Sequence, residues 1–109
     1  MDEREYLRLA DQTLSTIQEW LEGIESDDLD FSTGDGLINV EFSDGDHLIL
    51  NRQAASKQLW LAASDRAWHC NWDPSVQRWL DDKEGDDLYL LLQGLVSEKI
   101  DEELDPIED

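Results

Sequence analysis

Two apolar runs flank a tight turn in the stretch Leu37–Asn51, which reads LINVEFSDGDHLILN. The hydrophobic period in this part of the chain is two, which is typical of strands with one buried face. Asp44-Gly45 lies between the runs and is a strong hairpin signal, because glycine readily adopts the positive φ that such turns need. The stretch therefore predicts an antiparallel pair of strands, Leu37–Phe42 and His47–Asn51.

Further short strands are expected on both sides of this hairpin. Upstream, a strand near Phe31 precedes a turn at Gly34-Asp35-Gly36. Downstream, the same pattern predicts three more strands, Gln58–Ala62, Trp68–Trp72 and Val76–Leu80. Turns that contain Asp, Ser and Pro separate them. The middle of the chain thus predicts about six antiparallel strands.

A helix is predicted at each end of the chain. The first has an apolar residue at every third or fourth position, with Asp2 as its expected N-cap and Gly23 as its stop. Its apolar stripe consists of Tyr6, Ala10, Leu14, Ile17, Leu21 and Ile24. The second runs from Leu88 to about Ile100 and also has one apolar stripe.

Helices with a single apolar stripe pack most economically together on one face of a sheet. The predicted fold class is therefore α+β, a two-layer α/β sandwich with both terminal helices on one face of a six-stranded antiparallel sheet. Residues 1–109 form a single domain in this prediction. The acidic tail from about Asp101 contains Pro106 and is expected to be frayed.

The acidic excess is the dominant feature of the composition. The chain has 28 Asp and Glu against 8 Lys and Arg, a formal net charge of −20 that is concentrated toward its two ends. Such a surface repels phosphate backbones and anionic lipid, so nucleic acid and membranes are disfavoured, and cations and basic proteins are favoured. The acidic start Met1-Asp2-Glu3 does not fit a signal peptide, and the single cysteine, Cys70, excludes an internal disulfide. We expect a cytoplasmic protein.

Six carboxylates lie within twelve residues around the end of the first helix and the start of the first strand. We call these six residues the ridge: Glu19, Glu22, Glu25, Asp27, Asp28 and Asp30. Carboxylate oxygens suit hard or borderline cations, iron included. By composition alone, a merely solvated charged surface is the commoner explanation of such a run. With no His or Cys among them, any metal should bind weakly and at several positions, with Ca²⁺, Mg²⁺ or Mn²⁺ as competitors.

The strand residues that follow give little sign of catalysis. Cys70 alternates onto the same face as Trp68 and Trp72, which favours a buried, inert thiol. Trp60 should point away from the helices, because Leu59 and Leu61 on either side of it face them. It is then either an exposed interface anchor or a residue packed against neighbouring strands. His69 belongs to the same outer face, where an ordinary strand residue is favoured over a metal ligand.

The run Asn51–Ala62, NRQAASKQLWLA, resembles the signature of the frataxin family, and of its bacterial branch in particular. That signature has an Asn, a Gln two residues later, a Pro two further on, and then Gln-aliphatic-Trp-aliphatic. Arg8-Leu9-Ala10-Asp11 is also similar to the bacterial branch, and the resemblance covers roughly residues 3–100. Two departures are Ala55, where the family has Pro, and Gln18, where an acid is common.

The resemblance implies that the chain binds Fe²⁺ and Fe³⁺ weakly and reversibly on the ridge and acts in iron–sulfur cluster assembly. Its implied partners are the cysteine desulfurase and the scaffold protein, and its implied role is to tune cluster formation, as iron donor or sensor. Asn51, Gln53 and Trp60 map onto the partner-binding sheet face. It is expected not to be an enzyme, and to be a monomer without metal.

Two other functions remain as alternatives. A ferroxidase or iron-storage protein needs carboxylates clustered with His in fixed geometry, and the sequence has no such motif. A generic acidic protein that mimics nucleic acid fits the charge, but it leaves Trp60 and its flanking signature unexplained.

Overall fold

The computed structural model describes Met1–Asp109. Two helices enclose six strands in chain order: α1 (Glu3–Glu22), β1 (Leu29–Gly34), β2 (Leu37–Phe42), β3 (His47–Gln53), β4 (Gln58–Ala63), β5 (Arg66–Asp73), β6 (Arg78–Asp81) and α2 (Leu88–Ile100). The strands form one antiparallel sheet in the order β1-β2-β3-β4-β5-β6. The predicted α+β architecture is confirmed. No helix combines the length and apolar character that crossing a bilayer requires.

The predicted limits of the helices and strands hold within two residues, and the start of β6 is one of the limits that differ. That strand begins at Arg78 and not at Val76, because Gln77 has φ 55° and belongs to the preceding turn. Left-handed backbone is incompatible with a strand, so Val76 remains outside the sheet with more than half of its surface exposed.

Both helices pack on one face of the sheet and bury a single core of 21 residues. Tyr6 is fully buried on α1, and its hydroxyl ties two strands together. It donates to the Gln58 carbonyl oxygen at 2.7 Å and accepts from the Gln53 N–H at 3.1 Å. The buried Trp79 indole N–H donates to the Thr13 hydroxyl at 2.9 Å. These bonds fix α1 across β3, β4 and β6.

The limits of both helices have clear local causes. The Asp2 carboxylate caps α1 by accepting from the Glu5 N–H at 2.8 Å, and Gly23 is its C-cap, as predicted. Asp87 caps α2 by accepting from the Tyr89 N–H at 2.8 Å and also forms an ion pair with Arg78. That ion pair joins the start of α2 to β6.

The tail differs from the expectation of fraying. It has no regular secondary structure, but Ile107 is only 3% exposed and belongs to the core. The Trp20 indole N–H on α1 donates to the Asp105 carbonyl oxygen at 2.9 Å, and the Tyr89 hydroxyl on α2 donates to Asp109 at 2.7 Å. The tail is therefore a strap held by both helices. Its composition is that of a disordered segment, but one buried isoleucine and these hydrogen bonds hold it in place.

Candidate functional site

The ridge lies where α1 ends and the sheet begins. Glu19 and Glu22 are in the last turn of α1, Glu25 to Asp28 are in the connection, and Asp30 is on β1. All six ridge side chains are exposed. The last turn of α1 contains no basic residue, so its acids stand at the negative end of the helix dipole, which is unfavourable for stability. The helix dipole thus does not stabilise the charge placed there.

The ridge carboxylates have no cationic partner. The ion pairs of the structure join Arg52, Arg78 and Lys99 to carboxylates outside the ridge: Asp11, Asp35, Asp44, Asp46 and Asp87. Ridge carboxylates accept only from neutral donors, such as the Gln18 side-chain amide on Glu22 at 3.0 Å and the Ser43 hydroxyl on Asp28 at 3.2 Å. The negative charge of the ridge is therefore fully presented to solvent.

The fold adds carboxylates to the ridge that were not predicted as part of it. An open groove beside Glu19 and Glu25 is also lined by three tail acids, which are Glu102, Glu103 and Asp105. Glu41 of β2 lies directly opposite Asp30 of β1. The register of the first hairpin could have located Glu41. No sequence signal placed the tail acids, because the tail was expected to be frayed.

No three His, Cys, Asp or Glu side chains lie together in an arrangement that could hold a metal ion. The ridge oxygens are hard ligands that suit iron chemically, but they are spread along a surface and do not converge. The imidazoles are elsewhere: His47 is exposed on β3, and His69 is half-buried on β5. A cation on the ridge would keep much of its water and would be held mainly by the local negative field.

The outer face of the sheet presents an aromatic pair. Leu59 and Leu61 are fully buried while Trp60 is only half-buried, which confirms the predicted outward direction of Trp60. Trp60 lies opposite His69 in the β4–β5 register, and the two rings stack with centroids 4.2 Å apart and planes 19° from parallel. The Trp60 indole N–H donates to the Gln58 side chain at 2.8 Å. The indole is thus held in a defined orientation.

Amide side chains surround this pair. Asn51 lies opposite Trp60 on β3, and the Gln53 side-chain amide donates to Asn51 at 2.9 Å. The structure therefore brings Asn51, Gln53 and Trp60 together on one surface, and it adds His69. We call these four residues the sheet-face patch. The patch contains no carboxylate, lysine or arginine of its own, in contrast with the ridge.

Cys70 lies on the opposite face of β5 and is fully buried, as alternation with Trp68 predicted. Burial, reinforced by the charge of Asp81, raises the pKa of the thiol from 9.0 to about 12. A thiol with that pKa is protonated at neutral pH and is a poor nucleophile or metal ligand.

Comparison with known proteins gives a consistent result. The model of the frataxin-like domain matches residues 1–102. Two relatives are named iron–sulfur cluster assembly protein CyaY. The one from Thioalkalivibrio sulfidiphilus is 38% identical to this chain, and the one from Azotobacter vinelandii is 36% identical. The first alignment covers 81% of this chain and 83% of the relative, and the second covers 96% and 94%.

Solved structures show the same likeness. The frataxin of Psychromonas ingrahamii superposes with a TM-score of 0.87 at 30% identity, covering 96% of this chain and 97% of that one. A trimeric frataxin from Saccharomyces cerevisiae, solved in complex with ferrous iron, has a TM-score of 0.76 at 23% identity, covering 86% and 87%. The yeast structure supports the fold alone.

Proposed function

Because the chain belongs to the frataxin-like family, we propose that it is an accessory protein of iron–sulfur cluster assembly that docks to the cysteine desulfurase through its ridge. The observation that carries the proposal is the absence of any cationic partner for the six ridge carboxylates. A surface that is left uncompensated, at a cost to the helix that bears it, suits a basic partner surface.

Docking begins with long-range attraction. A net charge of −20 surrounds the molecule with a negative field, and the ridge concentrates that field at one edge of the sheet. A field of this kind orients a basic patch before contact and raises the association rate, and salt weakens the effect. The ridge then supplies the first contacts with lysine and arginine side chains.

Iron acts on the same surface in this proposal. Fe²⁺ or Fe³⁺ is cargo or signal, bound weakly and reversibly by ridge oxygens that do not converge on a fixed site. Each bound ion lowers the negative charge of the ridge and thereby weakens the attraction to a basic partner. The chain would thus sense iron, and it could also donate iron, without covalent chemistry or an enzymatic step of its own.

The sheet-face patch takes the second partner, the scaffold protein. Trp60 is a rigid aromatic side chain whose orientation is set by His69 and Gln58, and such residues commonly anchor interfaces. The patch is centred on β4, three strands from β1, so roughly 14 Å of sheet separates it from the ridge edge. The patch and the ridge are therefore distinct surfaces of the sheet.

The direct test is titration of purified cysteine desulfurase with two triple variants of equal charge. The ridge variant carries Glu19→Lys, Glu22→Lys and Asp28→Lys. The control variant carries Asp65→Lys, Glu84→Lys and Asp86→Lys, which are exposed positions in the β4–β5 turn and the loop after β6, across the sheet from β1. We expect the ridge variant to lose affinity by more than about tenfold and the control to lose much less. Equal losses would show that net charge acts and not the ridge.

A further inference from the structure

The two edges of the sheet differ in how their backbone groups are satisfied. At β6 the chain folds back over the edge: Leu80 forms a bridge with Asp87, and the Asp81 N–H donates to the Asp86 carbonyl oxygen at 2.8 Å. No element pairs with the outer side of β1, Leu29–Gly34. An open edge strand offers a row of donors and acceptors to another extended chain.

Hairpin geometry identifies the backbone groups that point outward from β1. A two-residue turn, Asp35-Gly36, joins β1 to β2, so Gly34 and Leu37 form the closing pair of the ladder. Counting back from Gly34, the backbone N–H and C=O groups of every second residue then face β2. The hydrogen bond from the Ser43 N–H to the Asp28 carbonyl oxygen at 2.9 Å continues that alternation. The N–H and C=O groups of the intervening residues, Leu29, Phe31 and Thr33, therefore point away from the sheet.

One of these outward donors is covered by a ridge carboxylate. The Phe31 N–H donates to the Asp30 side chain at 2.9 Å. Asp30 is itself exposed and forms no ion pair, so its carboxylate is free to exchange that amide for a stronger, charged partner. A lysine or arginine that takes the Asp30 carboxylate would release the Phe31 N–H for a carbonyl oxygen of the same incoming chain.

We propose that β1 accepts an extended, lysine- or arginine-bearing segment of a partner protein as an additional edge strand. The basic side chains face outward beside Asp30, and the alternate side chains are apolar because they lie beside Phe31, which packs against the core. A second copy of this chain fits poorly, since β1 has no lysine or arginine to meet Asp30 and each copy carries a net charge of −20.

The inference rests on the proposed ridge docking and adds to it a backbone contact mode. Electrostatic docking alone needs only the carboxylates. Strand addition also needs the outward amides of β1. The two can be separated, because a ridge variant changes side chains and leaves the β1 backbone intact.

The test uses a short synthetic peptide that alternates lysine and valine, and a second peptide of the same sequence in which alternate backbone amides are N-methylated. We expect the plain peptide to slow hydrogen exchange at the Phe31 and Thr33 amides about tenfold or more, and the methylated peptide, which has the same charge, to leave them unchanged. The Ser32 amide, already in the ladder, serves as the internal reference.

A matched pair of variants tests the protein side. Thr33→Pro removes an outward N–H at an edge position where proline is tolerated, and Thr33→Ala keeps it. We expect the proline variant to bind the plain peptide about fivefold more weakly than the alanine variant, with both folded by circular dichroism. Absence of protection at Phe31 and Thr33, or equal affinity of the two peptides, overturns strand addition. The desulfurase titration of the ridge variant decides the proposed function separately.

Discussion

At the scale of single residues, Trp60 is the proposed anchor for the scaffold protein. Its ring is half-buried against His69, so its removal costs little packing but deletes the centre of the patch. We expect Trp60→Ala to lower the free energy of unfolding by about 1 kcal/mol and to weaken scaffold binding by about tenfold or more. Leu90→Ala, at an apolar position that is 63% exposed on α2, is the control. Unaltered scaffold affinity and cluster-formation rates in Trp60→Ala would make the stack merely structural.

Because of Cys70, the free energy of unfolding should depend on pH in the alkaline range. Burial raises its pKa from 9.0 to about 12, so the folded state keeps a proton that the unfolded state releases. Because the folded-state pKa is the higher one, this contribution is complete below pH 9 and is lost as pH rises toward 12. Denaturant midpoints should therefore fall from about pH 9 upward, and Cys70→Ala should reduce that slope.

Tyr89 acts in the same direction at higher pH, because burial and its hydrogen bond to Asp109 raise its pKa above the ordinary 10.0. In Cys70→Ala, the remaining fall of the denaturant midpoint with pH should therefore begin above about pH 10. A pH-independent midpoint in the wild type between pH 8 and pH 11 would contradict both assignments.

At the scale of elements, the tail is the part whose role the structure changes most. Ile107 is buried against the core although it lies outside any helix or strand. We expect Ile107→Ala to lower the free energy of unfolding by about 2–4 kcal/mol. Glu108→Ala, at the exposed next residue, should have almost no effect. Equal denaturant midpoints for the two variants would show that the strap does not contribute to stability.

The limits of the helices and strands also show which features of the fold can be predicted from the sequence. The hairpin at Asp44-Gly45 and the limits of β2 and α2 follow from alternation, turn residues and helical spacing, all of which are local signals. The start of β6 was missed because Gln77, unlike glycine, gives no sign of a left-handed conformation. The docking of Ile107 was missed because it depends on a surface that only the packed helices create.

The same distinction applies to the candidate site. The ridge follows from the sequence as a run of acids at a helix end, and the outward direction of Trp60 follows from its two leucine neighbours. The stack of His69 on Trp60 requires the β4–β5 register. The lack of ion pairs on the ridge could not be predicted from the sequence. It depends on which carboxylates Arg52, Arg78 and Lys99 contact in the folded chain, and those carboxylates lie outside the ridge.

At the scale of the whole molecule, the acidic ridge and the sheet-face patch are separate surfaces. The ridge and the tail acids concentrate negative charge near the end of α1, and the sheet-face patch has none of its own. A protein so arranged can meet a basic partner by attraction at one surface and a second partner by shape and aromatic contact at another. The two interactions should respond differently to salt, because screening acts on the first and hardly on the second.

The most direct measurement of ridge docking is the association rate constant with cysteine desulfurase, followed by stopped flow as ionic strength increases. Steering by the ridge predicts a rate constant for the wild type that falls steeply with salt. It predicts a low and nearly salt-independent rate for the Glu19→Lys, Glu22→Lys, Asp28→Lys variant, and a steep dependence that persists in the control of equal charge. A ridge variant that associates at the wild-type rate, with the same salt dependence, would contradict the account.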